Sequence, residues 1–415
     1  MELGNVIKVN PEQARKDYPY DEIEYIDISS VGTGILHEVK QIEFANAPSR
    51  AKRIISNGDT LLATVRPNLR AFWFAKNIKE NTIASTGFAV LRANEGSEPR
   101  FIYYLVTDQH FTDYLTANAK GAAYPAVDKE IIERADIYLP PIPTQRKIAA
   151  ILSAYDDLIE NNLRRIKILE EMAQNLYREW FVNFRFPGHE QTRFVDSPLG
   201  RIPEGWEIVP MKSVANVVDC LHSKKPDAHD EGSGILVQLF NIQDGGKLDF
   251  SKKYMISKDD YVKWTKRIEL SEGDCIITNV GRIAAVAQMP KGKKAALGRN
   301  MTGLRPIEGK IKPTYLIEYL LSPHMTNEVR KKSDAGVIMD SLNVRSIYLL
   351  SVPIPKGTLM DDFECIARPI RQSIESLVEK NHVLRQTRDL LLPKLISGEV
   401  DVSDLDITLP EEALA

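Results

Sequence analysis

Cysteine is scarce: three residues, Cys220, Cys275 and Cys365, lie far apart in a chain of 415. An odd and scattered set disfavours a disulfide framework and points to a reducing cytoplasm. No apolar run approaches the ~20 residues of a membrane span. The opening stretch MELGNVIKVNPEQARKD lacks the basic and apolar regions of a secretory signal. Charge of one sign is also missing, the net being −3, so composition alone announces no nucleic-acid binder. The balance is nonetheless uneven. Counting Lys, Arg, Asp and Glu, residues 1–142 carry −3, residues 207–355 carry +5, and residues after 355 carry −5. An acidic tail therefore masks a basic middle.

Catalytic signatures are absent too. There is no G-x-x-x-x-G-K-[ST] loop for a nucleotide and no G-x-G-x-x-G after a strand. No N-P-P-[FYW] or D-P-P-Y tetrapeptide of the amino-methyltransferase kind occurs; the nearest string, Asn10-Pro11-Glu12-Gln13, lacks its aromatic. G-x-S-x-G and H-E-x-x-H are missing as well. The one cluster of metal-ligand types, DCLHSKKPDAHDE with Cys220, His222, His229 and Asp230, fits no common zinc spacing and reads equally as a polar loop, so no metal is expected. The chain reads as a binder.

What is present is a repeat with a period of about 213 residues. MELGNVIKV matches MKSVANVV from Met211, and RIISNGDTLLATVRP from Arg53 matches RIELSEGDCIITNVGR from Arg267. GAAYPAVDKEIIERADIYLPPIP from Gly121 parallels GVIMDSLNVRSIYLLSVPIP from Gly336. A long helix follows each. Within each copy the pattern is mixed α/β: the turns NGD and EGD precede the β-branched runs LLATV and CIITNV. FIYYLVTDQHFTDYLTANA and TYLIEYLLSPHMTNEVRKKS have helical spacing, and IYLPPIP and YLLSVPIP read as closing strands. The stretch FPGHEQTRFVDSPLGRIPEGW reads as an aperiodic linker between copies.

The first long helix, expected from Thr144 to about Phe184 and roughly 60 Å long, spaces Leu152, Tyr155, Ile159, Asn162, Ile166, Leu169, Ala173, Leu176 and Trp180 alternately by three and four. The second offers Phe363, Ile366, Ile370, Ile374, Leu377, Asn381, Leu384, Arg388 and Leu391, with Pro393 expected to kink or end it. This heptad spacing favours another long helix as partner, the two packing antiparallel as a rod between two similar heads. A buried Asn162 or Asn381 would fix register; at the seam's edge either would be hydrated.

Loops after the NGD and EGD turns carry the side chains that read base edges. The first offers Arg66, Asn68, Arg70 and Lys76 beside Phe72, Trp73 and Phe74; the second offers Asn279, Arg282, Lys291, Lys293, Lys294, Arg299 and Asn300. Lysines suit phosphates, which position without reading sequence. Lys120 with Gly121-Ala122-Ala123-Tyr124, and Lys331, Lys332 and Ser333, form further candidate loops. Each has a plainer reading: AFWFA as strand core, KGKK as a solvated turn, Arg66 in a structural ion pair, and the remaining basic residues as ordinary surface charge.

LPPIPTQRKIAAILSAYDDLIENNLRRIKILEEMAQNLYREWF, the C-terminal RQTRDLLLPKLISGEVDV and GDCIITNVGRIAAVA resemble shared segments of the specificity subunits of type I restriction–modification systems, a likeness that covers essentially the whole chain. The resemblance implies a non-catalytic subunit with two target recognition domains, each reading one half of a split double-stranded DNA site. It implies helices that measure the unread spacer and bind two methyltransferase subunits, to which restriction–translocase subunits attach. S-adenosylmethionine, ATP and magnesium would then be bound by those partners and none by this chain, in a prokaryotic cytoplasm without membrane contact. The expected organisation is recognition domain 1–142, long helix 143–186, linker 187–206, recognition domain 207–355, long helix 356–398 and acidic tail 399–415. The first copy lacks a counterpart of PEGWEIVP, which precedes Met211 in the second. A coiled-coil scaffold that grips proteins is the alternative, and steep salt dependence separates DNA binding from it.

Overall fold

In both copies an S-x-G-D turn buries its aspartate. The Asp59 carboxylate accepts the Ser56 amide at 2.8 Å and both an Nε and an Nη of Arg92 at 2.8 Å. The Asp274 carboxylate accepts the Ser271 amide at 2.8 Å and Arg305 at 2.9 and 2.6 Å. This two-pronged geometry is the strong form of the pair. Glycine at the third position, Gly58 and Gly273, takes the left-handed conformation the turn demands.

The computed structural model describes residues 1–197, 200–332 and 341–407. The fold is mixed α/β and divides into two units, one holding Met1–Ile159 with the residues from Val383 onward, the other Glu160–His382. The first contains an antiparallel four-stranded sheet, ordered Ile7–Val9, Phe88–Ala93, Thr60–Ala63, Phe72–Phe74. The second contains its counterpart: Ala215–Asp219, Met301–Pro306, Cys275–Thr278, Val286–Gln288, all antiparallel. The locked aspartate immediately precedes a central strand each time, and the arginine lies in the strand beside it. The first unit adds a mixed sheet of Lys40–Glu43, Glu22–Ile26, Thr82–Ser85 and Ala51–Ile54, with its middle pair parallel.

Each expected amphipathic helix is two. Pro99–Thr107 is followed by Gln109–Asn118, because Asp108 leaves helical geometry and caps the second segment through the His110 amide. Pro313–Leu320 is followed by Pro323–Lys332, where proline suits the opening of a new helix. Ser351–Ile354 forms the expected closing strand by pairing with Glu207–Pro210 of PEGWEIVP. Its counterpart Ile137–Pro140 pairs with no strand among the described residues, where a single bridge joins Glu2 to Asp136, since that partner segment has no equivalent in the first copy. The stretch expected as an aperiodic linker holds a hairpin, Phe194–Ser197 with Gly200–Pro203. Phe186, Ile202 and Trp206 anchor it in the core formed with Trp180 and Phe181.

The long helices run Ile142–Tyr177, continued by a π-helical turn Arg178–Val182, and Leu359–Ile396. Pro393 does not end the second. It sits in the last turn, where it forfeits one backbone bond while buried Leu392 and Leu395 hold the turn in the core. Within the second unit Asn162 meets Asn381 and Tyr177 meets Phe363, so the segments are antiparallel there. Ile166, Ile374 and Leu377 form their seam, with Leu169 and Ile370 against it. The Asn162 Nδ2 donates to the Asn381 Oδ1 at 2.8 Å, both side chains being buried, so a hydrated edge position is excluded for either.

Beyond that seam the helices enter the cores of the units. In the first, Ile148, Ala149 and Leu152 pack with Phe101, Leu392 and Leu395, and Arg388 pairs with Asp156, which accepts the Tyr104 hydroxyl at 2.6 Å. Ile159, Ala173 and Trp180 are buried as the spacing predicts, while Tyr155, Leu176, Leu384 and Leu391 are half-buried. Ile366 is exposed; Ala367 occupies its place because Phe363, Ala367 and Ile370 hold the four-then-three spacing toward the core.

Seventeen residues upstream of each asparagine, a side chain of the long helix secures the start of a short one. Gln145 accepts the Glu98 amide at 2.9 Å; Glu364 accepts the Thr314 amide at 3.1 Å and its hydroxyl at 2.9 Å. Burial raises the Glu364 pKa, and the Thr314 bonds offset part of that shift. In the second unit Arg371 pairs with Glu318 at 2.5 Å, and both are buried. Truncating one member leaves the other charge unpaired. Glu318→Ala is expected to cost about 3–5 kcal/mol, whereas Glu318→Leu with Arg371→Met recovers most of it. Denaturant midpoints of the three full-length chains check this.

Candidate nucleic-acid interface

The strand after each locked turn ends in a loop that is joined to a second loop by one β-bridge: Val65 to Ala126 in the first unit and Val280 to Ser341 in the second. In the first unit the Arg66 amide donates to the Pro125 carbonyl at 2.7 Å and the Val127 amide to Thr64 at 2.9 Å. Lys120 and Ala126 exchange both backbone bonds, at 2.8 and 2.9 Å, and close the 121–125 loop. Two segments sixty residues apart thus present one surface.

Arg66, Asn68, Lys120 and Tyr124 are exposed on it. The Arg66 guanidinium lies 4.8 Å from the centre of the Tyr124 ring. Lys120 pairs with Asp128 at 2.8 Å, and that hydrogen bond raises the lysine pKa and lowers the aspartate's. Arg70 is half-buried and spent on structure, donating to the Thr107 carbonyl at 2.8 Å and to Gln109. Lys76 lies away from this loop pair in its bonding, paired with Asp157 at 3.3 Å. Phe72 is core, and Trp73 and Phe74 pack against core, so none of the three is a stacking platform.

In the second unit Asn279 is not available to a ligand. It is buried, donating its side-chain amide to the Leu342 carbonyl at 2.9 Å and accepting the Thr302 hydroxyl at 3.0 Å. Arg282 is tied to the Ile242 carbonyl at 2.7 Å and to Asp244. The KGKK turn docks on the long helix: Lys291 donates its backbone amide to Glu375 at 3.2 Å, and Lys293 pairs with Glu379 at 3.5 Å. Lys294 pairs with Glu269 at 3.0 Å. Lys332 is held by Glu328 and by the Leu349 carbonyl, while Lys331 is exposed. Arg299 and left-handed Asn300 are exposed beside the loop, and the Asn300 carbonyl accepts the Asn279 amide at 2.8 Å. Ser333 and the segment from Gly336 to Asp340 lie outside the described residues.

Asp219, Cys220 and His222 bring three donor atoms within 4.8 Å. His229 and Asp230 are not in that set. His222 is hydrogen-bonded to Asp219 at 2.7 Å, and burial pushes the Cys220 thiol up.

Residues 1–171 match the family model of the type I restriction modification DNA specificity domain. The chain resembles a type I specificity subunit. The MjaIX specificity subunit of Methanocaldococcus jannaschii is 25% identical over 85% of this chain and 80% of its own length. The HindI specificity subunit of Haemophilus influenzae is 22% identical, covering 92% and 95%. The crystal structure of the type I S subunit from M. genitalium shares the fold, with a TM-score of 0.57 at 14% identity over 98% of this chain and 96% of that one. No helix among the described residues is long and apolar enough to cross a membrane.

Sequence reasoning missed two features of this surface. The loop between Val31 and Leu36 lies against the loop that holds Arg66 and Arg70, with Thr33 donating to the Arg70 carbonyl at 3.0 Å. Lys225 sits 3.8 Å from the centre of the Tyr254 ring, and Lys252 sits 5.1 Å from that of Phe240. A signal existed for the lysines, since Ser-Lys-Lys occurs at both 223–225 and 251–253. Burial separates the polar candidates of the second loop. Asn279→Ala is expected to cost roughly 1–3 kcal/mol of stability by orphaning buried groups, and Arg299→Ala less than about 0.5 kcal/mol. Chemical denaturation of the two variants checks the contrast.

Proposed function

We propose that this chain is the non-catalytic DNA-recognition subunit of a type I restriction–modification complex, acting in a prokaryotic cytoplasm. It reads a split double-stranded site, one half per unit. The observation that carries this is the duplicated construction: each unit holds an S-x-G-D turn on an arginine and, at the far end of the same strand, joins two polar loops. One such reader suits one half-site. The likeness to type I specificity subunits supports the same reading.

Two methyltransferase subunits and restriction–translocase subunits complete the assembly and hold S-adenosylmethionine, ATP and magnesium. The paired long helices set the length of DNA left unread between the halves. Arginine and asparagine on the loops supply base contacts, and lysines supply phosphate contacts that fix position.

A single-base methylation map of the host genome, with and without this gene, tests the proposal. Loss of one split motif is the expected result; an unchanged map alongside an active methyltransferase overturns it. Exchanging residues 1–142 for those of a chain with another specificity should alter one half of the motif alone. Inserting one heptad into both long helices should lengthen the tolerated spacer, and an unchanged spacer would remove the helices from that role.

A further inference from the structure

Arg66 stands where the fold asks for glycine. Seven residues beyond the locked aspartate, each copy turns its chain through the left-handed region, at Arg66 with φ 50° and at Gly281 with φ 86°. Both follow the valine that forms the bridge to the second loop. The second copy meets the requirement with the one residue that has no Cβ to clash. The first meets it with an arginine, and Pro67 directly after restricts the preceding residue further toward extended geometry. The backbone is held there by the Arg66 amide on Pro125 and by the Leu69 amide on the Arg66 carbonyl at 2.9 Å.

No hydrogen bond or ion pair among the described residues rewards the side chain for that strain. Arg70, also left-handed at φ 54°, spends its guanidinium on Thr107 and Gln109. Among the described residues the Arg66 guanidinium has no hydrogen bond or ion pair. It lies over the Tyr124 ring, itself 70% exposed. Strain that the surroundings impose and no internal contact repays is a mark of function. A flat aromatic beneath a guanidinium limits its orientations and leaves the N–H edge free for a planar, two-acceptor partner. In a DNA groove that partner is guanine, through O6 and N7.

Resting on the function proposed above, we infer that Arg66, braced by Tyr124, is a specificity-determining residue that reads a guanine in the half-site of the first unit. Asn68, exposed two residues on, is placed to meet the neighbouring base pair. Arg66→Gly removes the reader and relieves the backbone at once, so the variant should be at least as stable as the parent.

The test is selection from a pool of randomised DNA duplexes by the complex purified through the tagged full-length chain, wild type against R66G, with thermal midpoints for both. The expected result is a midpoint equal or higher for R66G and about a tenfold or greater loss of preference for guanine at one position. The other half-site should be unchanged. If R66G keeps the whole motif, or binds every sequence more weakly to the same degree as a lost phosphate contact would make it, the guanine assignment falls and the proposed function stands. A wild-type complex that enriches no split motif overturns both.

Discussion

The carboxylate of an S-x-G-D turn, gripped by an arginine from the adjacent strand, is the constraint on which each unit depends. Asp59 and Asp274 are almost fully buried, and a buried carboxylate is tolerated only where charge and hydrogen bonds replace water. Arg92 and Arg305 provide both, and the serine amide at the head of the turn fills a further acceptor site. The arrangement fixes the relative register of two central strands at one end. Everything displayed at the other end inherits that register.

The long helices serve the units in a comparable way. Gln145 and Glu364, equally distant from Asn162 and Asn381, each secure the amide that opens a short helix. Those helices pack on the four-stranded sheets, burying residues such as Phe101 and Tyr315. The two copies nonetheless solved one problem differently. Where the first sets Tyr104 against Asp156 and Arg388, the second buries the ion pair of Glu318 and Arg371.

Features that rest on local spacing were legible in the sequence. The mixed α/β pattern, the heptad seam and the burial of AFWFA follow from residues within one or two turns of each other, and the repeat from matching strings along the chain. Features set by distant partners were not. Asn279 and Arg299 look equally polar in sequence, yet Asn279 is buried by contacts with Thr302 and with Leu342, sixty-three residues away. KGKK resembles a phosphate-binding turn, and only the fold brings Glu375 and Glu379 beneath it. Ile137–Pro140 has the composition of a strand without an available edge to pair with. Ile366 lost its place to Ala367 because the seam's phase is set by Phe363 at the core. The candidate site was thus legible as a pair of segments, while the roles of individual side chains needed the bridges that join each segment to its partner loop.

The lock and the displayed loop sit at opposite ends of a strand of four residues, Thr60–Ala63 in one unit and Cys275–Thr278 in the other. At ~3.3 Å per residue that is about 13 Å, beyond the roughly 7–10 Å within which substitutions usually interact. Mutational effects at the two ends should therefore be nearly independent. The loops can drift, lengthen by a residue or exchange a glycine for an arginine at the cost of strain in that turn alone, while the lock beneath them keeps its contacts. Such a protein can change what it recognises in single steps, without first passing through a sequence that fails to fold.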